Sequence, residues 1–407
     1  MALTAGCPAD EDDNPAGGTV AGTESSGPTM GPAGSSDSGE PQTAPGATSG
    51  TTASDSDGSD DESGRGSDDE TDGGDSTGRD VTDNPTFVAL GHGGWFATSC
   101  DLGRTWQTQA FSDVADDHSP WSGFGGLAFG DGVFVGGFGW GALGHVTVSS
   151  NGSMWTDLDS TAFPHDKGMG YDSWTAGVVH DGEGFLLFAQ DRWTSSTGDA
   201  WTIIDGTLPP GTDQIRQVRA FDDGLIVIAA ESQSGGGHPV GNFMITSQDR
   251  GVSWSEGTGF VSECADGVQH YGDIERSGDT LLVGANSLCR SNDLGATWSL
   301  VDGPGDGSAI GDLVADQQGF LAFVGQQTWR SADGSTWSQE TTVAQDVQLG
   351  YAAYGAGTYV VVDRQGTRFF YSDDGLAWSP ATVESGTNLE TWVRDVAFGY
   401  AMGTCGA

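Results

Sequence analysis

The chain has 407 residues, of which 58 are Asp or Glu and only 14 are Lys or Arg, so its formal net charge at pH 7 is −44. A field of that sign repels nucleic acid and anionic lipid surfaces, which excludes polyanions as partners. The sequence contains no run of about eighteen apolar residues, so none of its segments reads as a membrane-spanning helix.

Residues 1–7, Met1-Ala-Leu-Thr-Ala-Gly-Cys7, resemble the end of a bacterial lipoprotein signal, in which small residues and a Leu precede a Cys that is acylated after cleavage. Thr4 stands where such signals more often carry Leu, and the basic and apolar regions of a full signal are missing. The resemblance implies lipidation at Cys7, membrane attachment only through that anchor, and an extracytoplasmic location: lipid-anchored at an outer membrane or cell surface, or secreted. Residues 8–84 are Gly, Ser, Thr, Asp, Glu and Pro with almost no bulky apolar side chain, so they read as a disordered, self-repelling acidic spacer. Its Asp runs lack the ordered ligand spacing, ending in a bidentate Glu, of an EF-hand loop.

From residue 85 the texture changes to short Val, Phe, Leu and Ala runs punctuated by Gly and Asp, the pattern of many short strands. One motif recurs seven times: Ser99-Cys-Asp101-Leu-Gly103-Arg-Thr105-Trp106, Ser149-Ser-Asn151-Gly-Ser-Met-Trp155, Ser195-Ser-Thr197-Gly-Asp-Ala-Trp201, Ser247-Gln-Asp249-Arg-Gly251-Val-Ser253-Trp254, Ser291-Asn-Asp293-Leu-Gly295-Ala-Thr297-Trp298, Ser331-Ala-Asp333-Gly-Ser-Thr-Trp337 and Ser372-Asp-Asp374-Gly-Leu-Ala-Trp378. Three copies are full length, four are one residue shorter, and two short copies replace the Asp by Asn151 and Thr197. These residue types suit a tight turn. Ser and Asp bond the turn backbone, Gly adopts a conformation others resist, and Trp packs between sheets. The motif resembles the Asp-box, or bacterial neuraminidase repeat, of sialidases, sortilins, xyloglucanases and photosystem II assembly factors.

That resemblance implies an all-β propeller over residues 85–407, with each motif joining the two outer strands of a four-stranded blade. The first motif lacks an innermost strand before it, and Val393-Arg-Asp-Val-Ala-Phe398 after the last motif supplies one, so seven blades are expected with the C-terminal strand closing the first. Closure brings Cys100 and Cys405 together, and Cys264 and Cys289 share the fifth blade. Two disulfides in an oxidising compartment are therefore expected beside Cys7, with four unpaired buried thiols as the competing reading.

Family members generally bind on the face opposite the motif turns. On that face the loops 111–123, 159–175, 231–242 and 259–273 are long and rich in aromatics and histidines. The candidate ligand-binding set is Trp121, Trp140, His145, His165, Tyr171, Trp174, Arg192, Trp193, His270 and Tyr271, because exposed rings beside polar groups suit sugar or peptide. The competing reading is that these rings plug loops onto the disc. Histidines spaced without a His-x-His pattern give no metal site, and no cofactor is expected. A sialidase needs three arginines, a Tyr nucleophile with a Glu partner and an acid. The arginines available are Arg192, Arg216, Arg219 and Arg394, and the Arg-Ile-Pro phrase of sialidases is absent. Other glycosidase chemistry needs two carboxylates, for which Asp166, Asp172, Glu263, Asp266 and Asp273 are candidates. The expectation is a monomeric, non-catalytic binding propeller for a glycan or an extracellular or periplasmic protein, with glycoside hydrolase as the alternative.

Overall fold

The computed structural model describes residues 84–91, 94–111, 126–138, 145–158, 177–189, 191–212, 214–232, 241–260, 264, 273–284, 287–305, 309–385, 393–402 and 405. They form seven sheets, antiparallel except for one parallel pair in the first. The first blade starts with β1 (Asn84–Gly91), β2 (Trp95–Ser99) and β3 (Thr105–Ala110). The second holds β4 (Leu127–Gly130), β5 (Val133–Phe138), β6 (His145–Ser149) and β7 (Thr156–Asp157). The third holds β8 (Gly177–His180), β9 (Phe185–Phe188), β10 (Arg192–Ser195) and β11 (Thr202–Ile203). The fourth is β12 (Gln214–Ala220), β13 (Ile226–Ser232), β14 (Gly241–Ser247) and β15 (Ser255–Glu256), and the fifth is β16 (Asp273–Ser277), β17 (Thr280–Gly284), β18 (Leu288–Ser291) and β19 (Ser299–Val301). The sixth is β20 (Ile310–Asp316), β21 (Gly319–Val324), β22 (Gln327–Ser331) and β23 (Ser338–Thr342). The seventh is β24 (Leu349–Gly355), β25 (Thr358–Asp363), β26 (Phe369–Ser372) and β27 (Ser379–Pro380).

Two further strands return to the first blade. β29 (Val393–Ala401) pairs antiparallel with β1, from Asn84↔Ala401 to Gly91↔Val393, and becomes its innermost strand. β28 (Thr382–Ser385) pairs parallel with β3, from Thr382↔Thr105 to Ser385↔Thr108, and covers its outer edge. The molecule is a seven-bladed propeller closed by its C-terminal strand, as the repeats imply. The second, outer strand of that closure has no counterpart in the sequence reading. The innermost strands touch their neighbours all round the ring, including β24 against β29 and β29 against β4.

Packing follows from position in the blade. A second strand lies between two neighbouring sheets, so it is buried on both faces and reads as a continuous apolar run: Phe185–Phe188 and Gly319–Val324 are buried throughout. Outermost strands face solvent on one side and are short or polar, as in the largely exposed Ser338–Thr342. Between blades the clusters are separate, for example Phe87, Trp95, Trp106, Val360 and Phe369 at the seam of blades seven and one.

All seven motif turns share the bond from the motif Gly N to the Ser Oγ. In the fifth blade Ser291 Oγ accepts from Gly295 N (2.9 Å) and donates to Asp293 Oδ1 (2.8 Å), Asp293 Oδ1 accepts from Thr297 N (2.8 Å), and Trp298 Nε1 donates to Gly295 O (2.9 Å). Asp101, Asp249, Asp333 and Asp374 accept turn N–H groups in the same way, and Asn151 Oδ1 accepts from Ser153 N and Met154 N. The Trp–Gly bond recurs at Trp106, Trp155, Trp201, Trp254 and Trp378, but Trp337 Nε1 is buried without a partner. The extra residue of the long copies sits in the left-handed region: Leu102, Arg250 and Leu294 have φ of 58°, 59° and 55°. The motif glycine is needed twice over. Gly295 has φ +90°, and a Cβ there would lie 2.6 Å from Thr246 of the preceding blade.

Disulfides join Cys100 to Cys405 (Cα–Cα 5.7 Å) and Cys264 to Cys289 (5.9 Å). The first ties the end of β2 to the segment after β29. Replacing both Cys100 and Cys405 by Ser is expected to lower stability by about 2–5 kcal/mol, measured by denaturant unfolding. Asp293→Ala, which unpairs a turn N–H and the Thr297 hydroxyl, is expected to lower it by about 1–3 kcal/mol in the same measurement.

Candidate functional site

The innermost strands surround a central cavity of about 320 Å³. Strand register fixes which residues share a level. The motif serines align through the second strands with Phe398, Phe129, His180, Ala220, Arg276, Ala315 and Tyr354, so these mark the end of the channel nearest the motif turns. Three residues earlier on each strand, about 10 Å toward the opposite face, come Asp395, Gly126, Gly177, Gln217, Asp273, Asp312 and Tyr351.

The three aspartates at that level act first on the frame. Asp395 accepts from Val396 N on its own strand and from Leu127 N of the next blade, both at 2.8 Å. Asp312 accepts from Leu313 N at 2.8 Å and from Ala352 N of the next blade. Asp273 Oδ1 accepts from Ile274 N at 2.9 Å and from Gln217 Nε2 of the preceding blade at 3.2 Å. Each carboxylate thus satisfies an edge N–H that the barrel-like ring leaves without a strand partner.

The channel arginines are matched as well. Arg219 bonds Glu275 across blades four and five, and Arg216 bonds Glu231 within blade four. Arg394 hydrogen-bonds Tyr351. The Arg219 side chain is still 40 % exposed to the lumen, whereas Glu275 is 10 % exposed. Burial pushes Glu275 up to about 7, against the pull of Arg219 and with help from Asp273. Burial also raises Asp395 to about 6 and holds Asp312, hydrogen-bonded to Asp273, well above the carboxylate range. Tyr351 rises to about 12, chiefly through burial.

Three members of the sequence-derived binding set lie among the described residues, and the structure gives all three frame contacts. Trp193 is 1 % exposed and packs in the core of blades two and three with Val135, Phe185 and Trp201. Arg192 is 7 % exposed and donates to Gly251 O of the next blade (2.7 Å) and to Gly206 O. Both begin β10, and their side chains turn into the space between blades. His145 Nδ1 lies 3.0 Å from Asp157, on the adjacent strand. Trp121, Trp140, His165, Tyr171, Trp174, His270 and Tyr271 lie outside the described residues, as do Cys7, Asp166, Asp172, Glu263 and Asp266. No group of three metal-ligating side chains occurs among the described residues. The channel set went unread except for Asp273 and the arginines, yet a signal exists. Asp followed by an aliphatic residue lies within the first three positions of three innermost strands, as Asp273-Ile274, Asp312-Leu313 and Asp395-Val396.

No protein-family model matches the chain, and no curated protein matches it. Among solved structures it is similar to YCF48 bound to a D1 peptide, with 13% identity over 71% of this chain and 97% of that one and a TM-score of 0.47. It is similar to YCF48 from Cyanidioschyzon merolae (17% identity, 69% and 93% covered, TM-score 0.48) and to virginiamycin B lyase from Staphylococcus aureus (10%, 70% and 96%, 0.48). At these identities the likeness concerns the propeller fold alone, which the sheet order of this chain establishes independently.

The two acid populations give stability opposite pH slopes. The channel carboxyls of Glu275, Asp312 and Asp395 have raised values, so their contribution is full below about pH 4 and, for Glu275 and Asp395, is lost as pH rises through about 6 to 7. The motif acids Asp249, Asp293, Asp333 and Asp374 have lowered values, so theirs is present above about pH 4 and is lost as pH falls. The unfolding temperature is therefore expected to peak in mild acid and to fall toward pH 8, and Glu275→Gln should flatten the alkaline limb. Calorimetry across pH checks both.

Proposed function

We propose that this protein is a non-catalytic binding module of the Asp-box propeller kind. It acts as an extracytoplasmic monomer tethered through a lipidated Cys7 and the acidic spacer, and it takes a glycan or an extracellular protein segment on the face opposite the motif turns. The observation that carries this reading is the internal pairing of the channel. Arg216 and Arg219 are matched to Glu231 and Glu275, and the aspartates hold strand-edge N–H groups, so these side chains serve the rigidity of a platform. The loops then supply specificity on a fixed frame.

A glycosidase is the competing reading, and one observation favours it. Glu275, at about 7, has the proton affinity of a general acid, and it shares a channel with three arginines and two tyrosines, Tyr351 and Tyr354. The sialidase version fits poorly. Its tyrosine nucleophile must lose a proton, whereas Tyr351 is raised to about 12 and its partner is Arg394 rather than a carboxylate base. The test is a glycan array and a peptide array probed with the full chain, each bound sugar also being assayed for hydrolysis. Retention without cleavage, unchanged in Glu275→Gln, is the expected result. Turnover abolished by Glu275→Gln would establish the enzyme instead.

A further inference from the structure

Asn151-Gly152 is the only Asn-Gly pair in the sequence, and it occupies a motif position that five of the seven copies fill with Asp. Those five aspartates are exposed, whereas Asn151 is 5 % exposed. The reason lies at the seam. The second motif turn packs against the first blade: a Cβ at Gly152 would fall 2.8 Å from Val88 Cγ2, 3.2 Å from Thr86 Cγ2 and 3.3 Å from Thr98 Cγ2. Thr98 Oγ1 donates to Gly152 O. From the other side the closing strand continues over the turn, with Met402 N donating to Ser150 O at 2.8 Å. An anion there loses hydration that the other motif acids keep, so a neutral amide fits.

An Asn followed by Gly is chemically labile because no Cβ hinders the next backbone nitrogen. In deamidation, Gly152 N attacks Asn151 Cγ, the N–C bond forms, and the side-chain amide leaves as ammonia. Water then opens the succinimide to Asp or isoaspartate. In the closed ring both reacting groups are held. Gly152 N–H donates to Ser149 Oγ at 2.8 Å, and Asn151 Oδ1 accepts from Ser149 Oγ (3.2 Å), Ser153 N (3.0 Å) and Met154 N (2.8 Å).

We propose that Asn151-Gly152 is a latent deamidation site held shut by ring closure, so that the amide is lost when the first and second blades part. The change is one-way. Asp places a charge in the buried seam, and isoaspartate lengthens the backbone within a turn whose N–H groups at Asn151, Gly152, Ser153 and Met154 are all matched, so either product opposes reclosure. Deamidation thereby records each opening of the seam.

The test follows Asn151 by peptide mass spectrometry in the full chain at mildly alkaline pH. In the native oxidised protein, conversion is expected to be at least about tenfold slower than in denaturant, because only the open fraction reacts. A Cys100→Ser/Cys405→Ser variant, which loosens the closing segment, should fall between them, while Cys264→Ser/Cys289→Ser should match the parent. Asn151→Asp should abolish the signal. Equal rates in native and denatured protein would overturn the proposal. So would a Cys100→Ser/Cys405→Ser rate equal to the parent's.

Discussion

The pairing of β1 with β29 is the contact on which the remaining structure depends, because it alone converts a row of sheets into a ring. Six blades are built from consecutive strands, and the first is complete only when the end of the chain reaches it. The apolar cores on both sides of that blade need it. Phe87 and Val396 belong to the seam with blade seven, Val88 and Ala401 to the seam with blade two. Without β29, the edge of β1 would carry bare N–H and C=O groups toward the channel, and two interblade cores would open to water. β28 adds a second hold on the opposite edge, so the closing segment grips the first blade from inside and outside.

A chain with so few cations spends them sparingly, and most of those in the described frame join one blade to the next. Arg104 meets Asp373, Arg250 meets the buried Asp181, Arg276 meets Asp223, and Arg330 sits between Asp316 and Tyr359. His180 reaches Asp131 in the same role. Among the described residues, two groups of acids occupy contrasting environments. At the motif turns, exposed carboxylates accept N–H bonds that stabilise the anion. In the channel, buried carboxyls accept similar bonds, and desolvation favours the protonated form. One residue type therefore responds to protons in opposite directions according to its place in the blade.

Blade number and circular closure were legible because both are local or periodic. Seven copies of a turn with fixed hydrogen-bonding chemistry announce seven hairpins, and a surplus strand-like run after the last copy has one vacancy to fill. The partnership of Cys100 with Cys405 follows from that closure. β28 was not legible: Thr382–Ser385 pairs with β3 because the chain passes that edge on its way inward, and no pattern in those residues marks it. The buried surroundings of Trp193 and Arg192 were not legible either. Residues at the start of a strand lie near the loop face, but the strand's pleat, not its end, decides whether a side chain meets solvent or the neighbouring blade. The channel aspartates show a weaker version of legibility, since their repeating Asp-aliphatic pairs become meaningful only when register puts them at one height.

The disulfide partners Cys100 and Cys405 are separated by 305 positions. The strand that covers Phe87 and Val88, β29, follows the strands of the six other blades in the chain. Contacts of such long sequence separation form slowly, because loop-closure entropy must be overcome before they contribute. Assembly of this disc therefore turns on keeping the first hairpin soluble until β29 is available, a constraint set in time rather than in space.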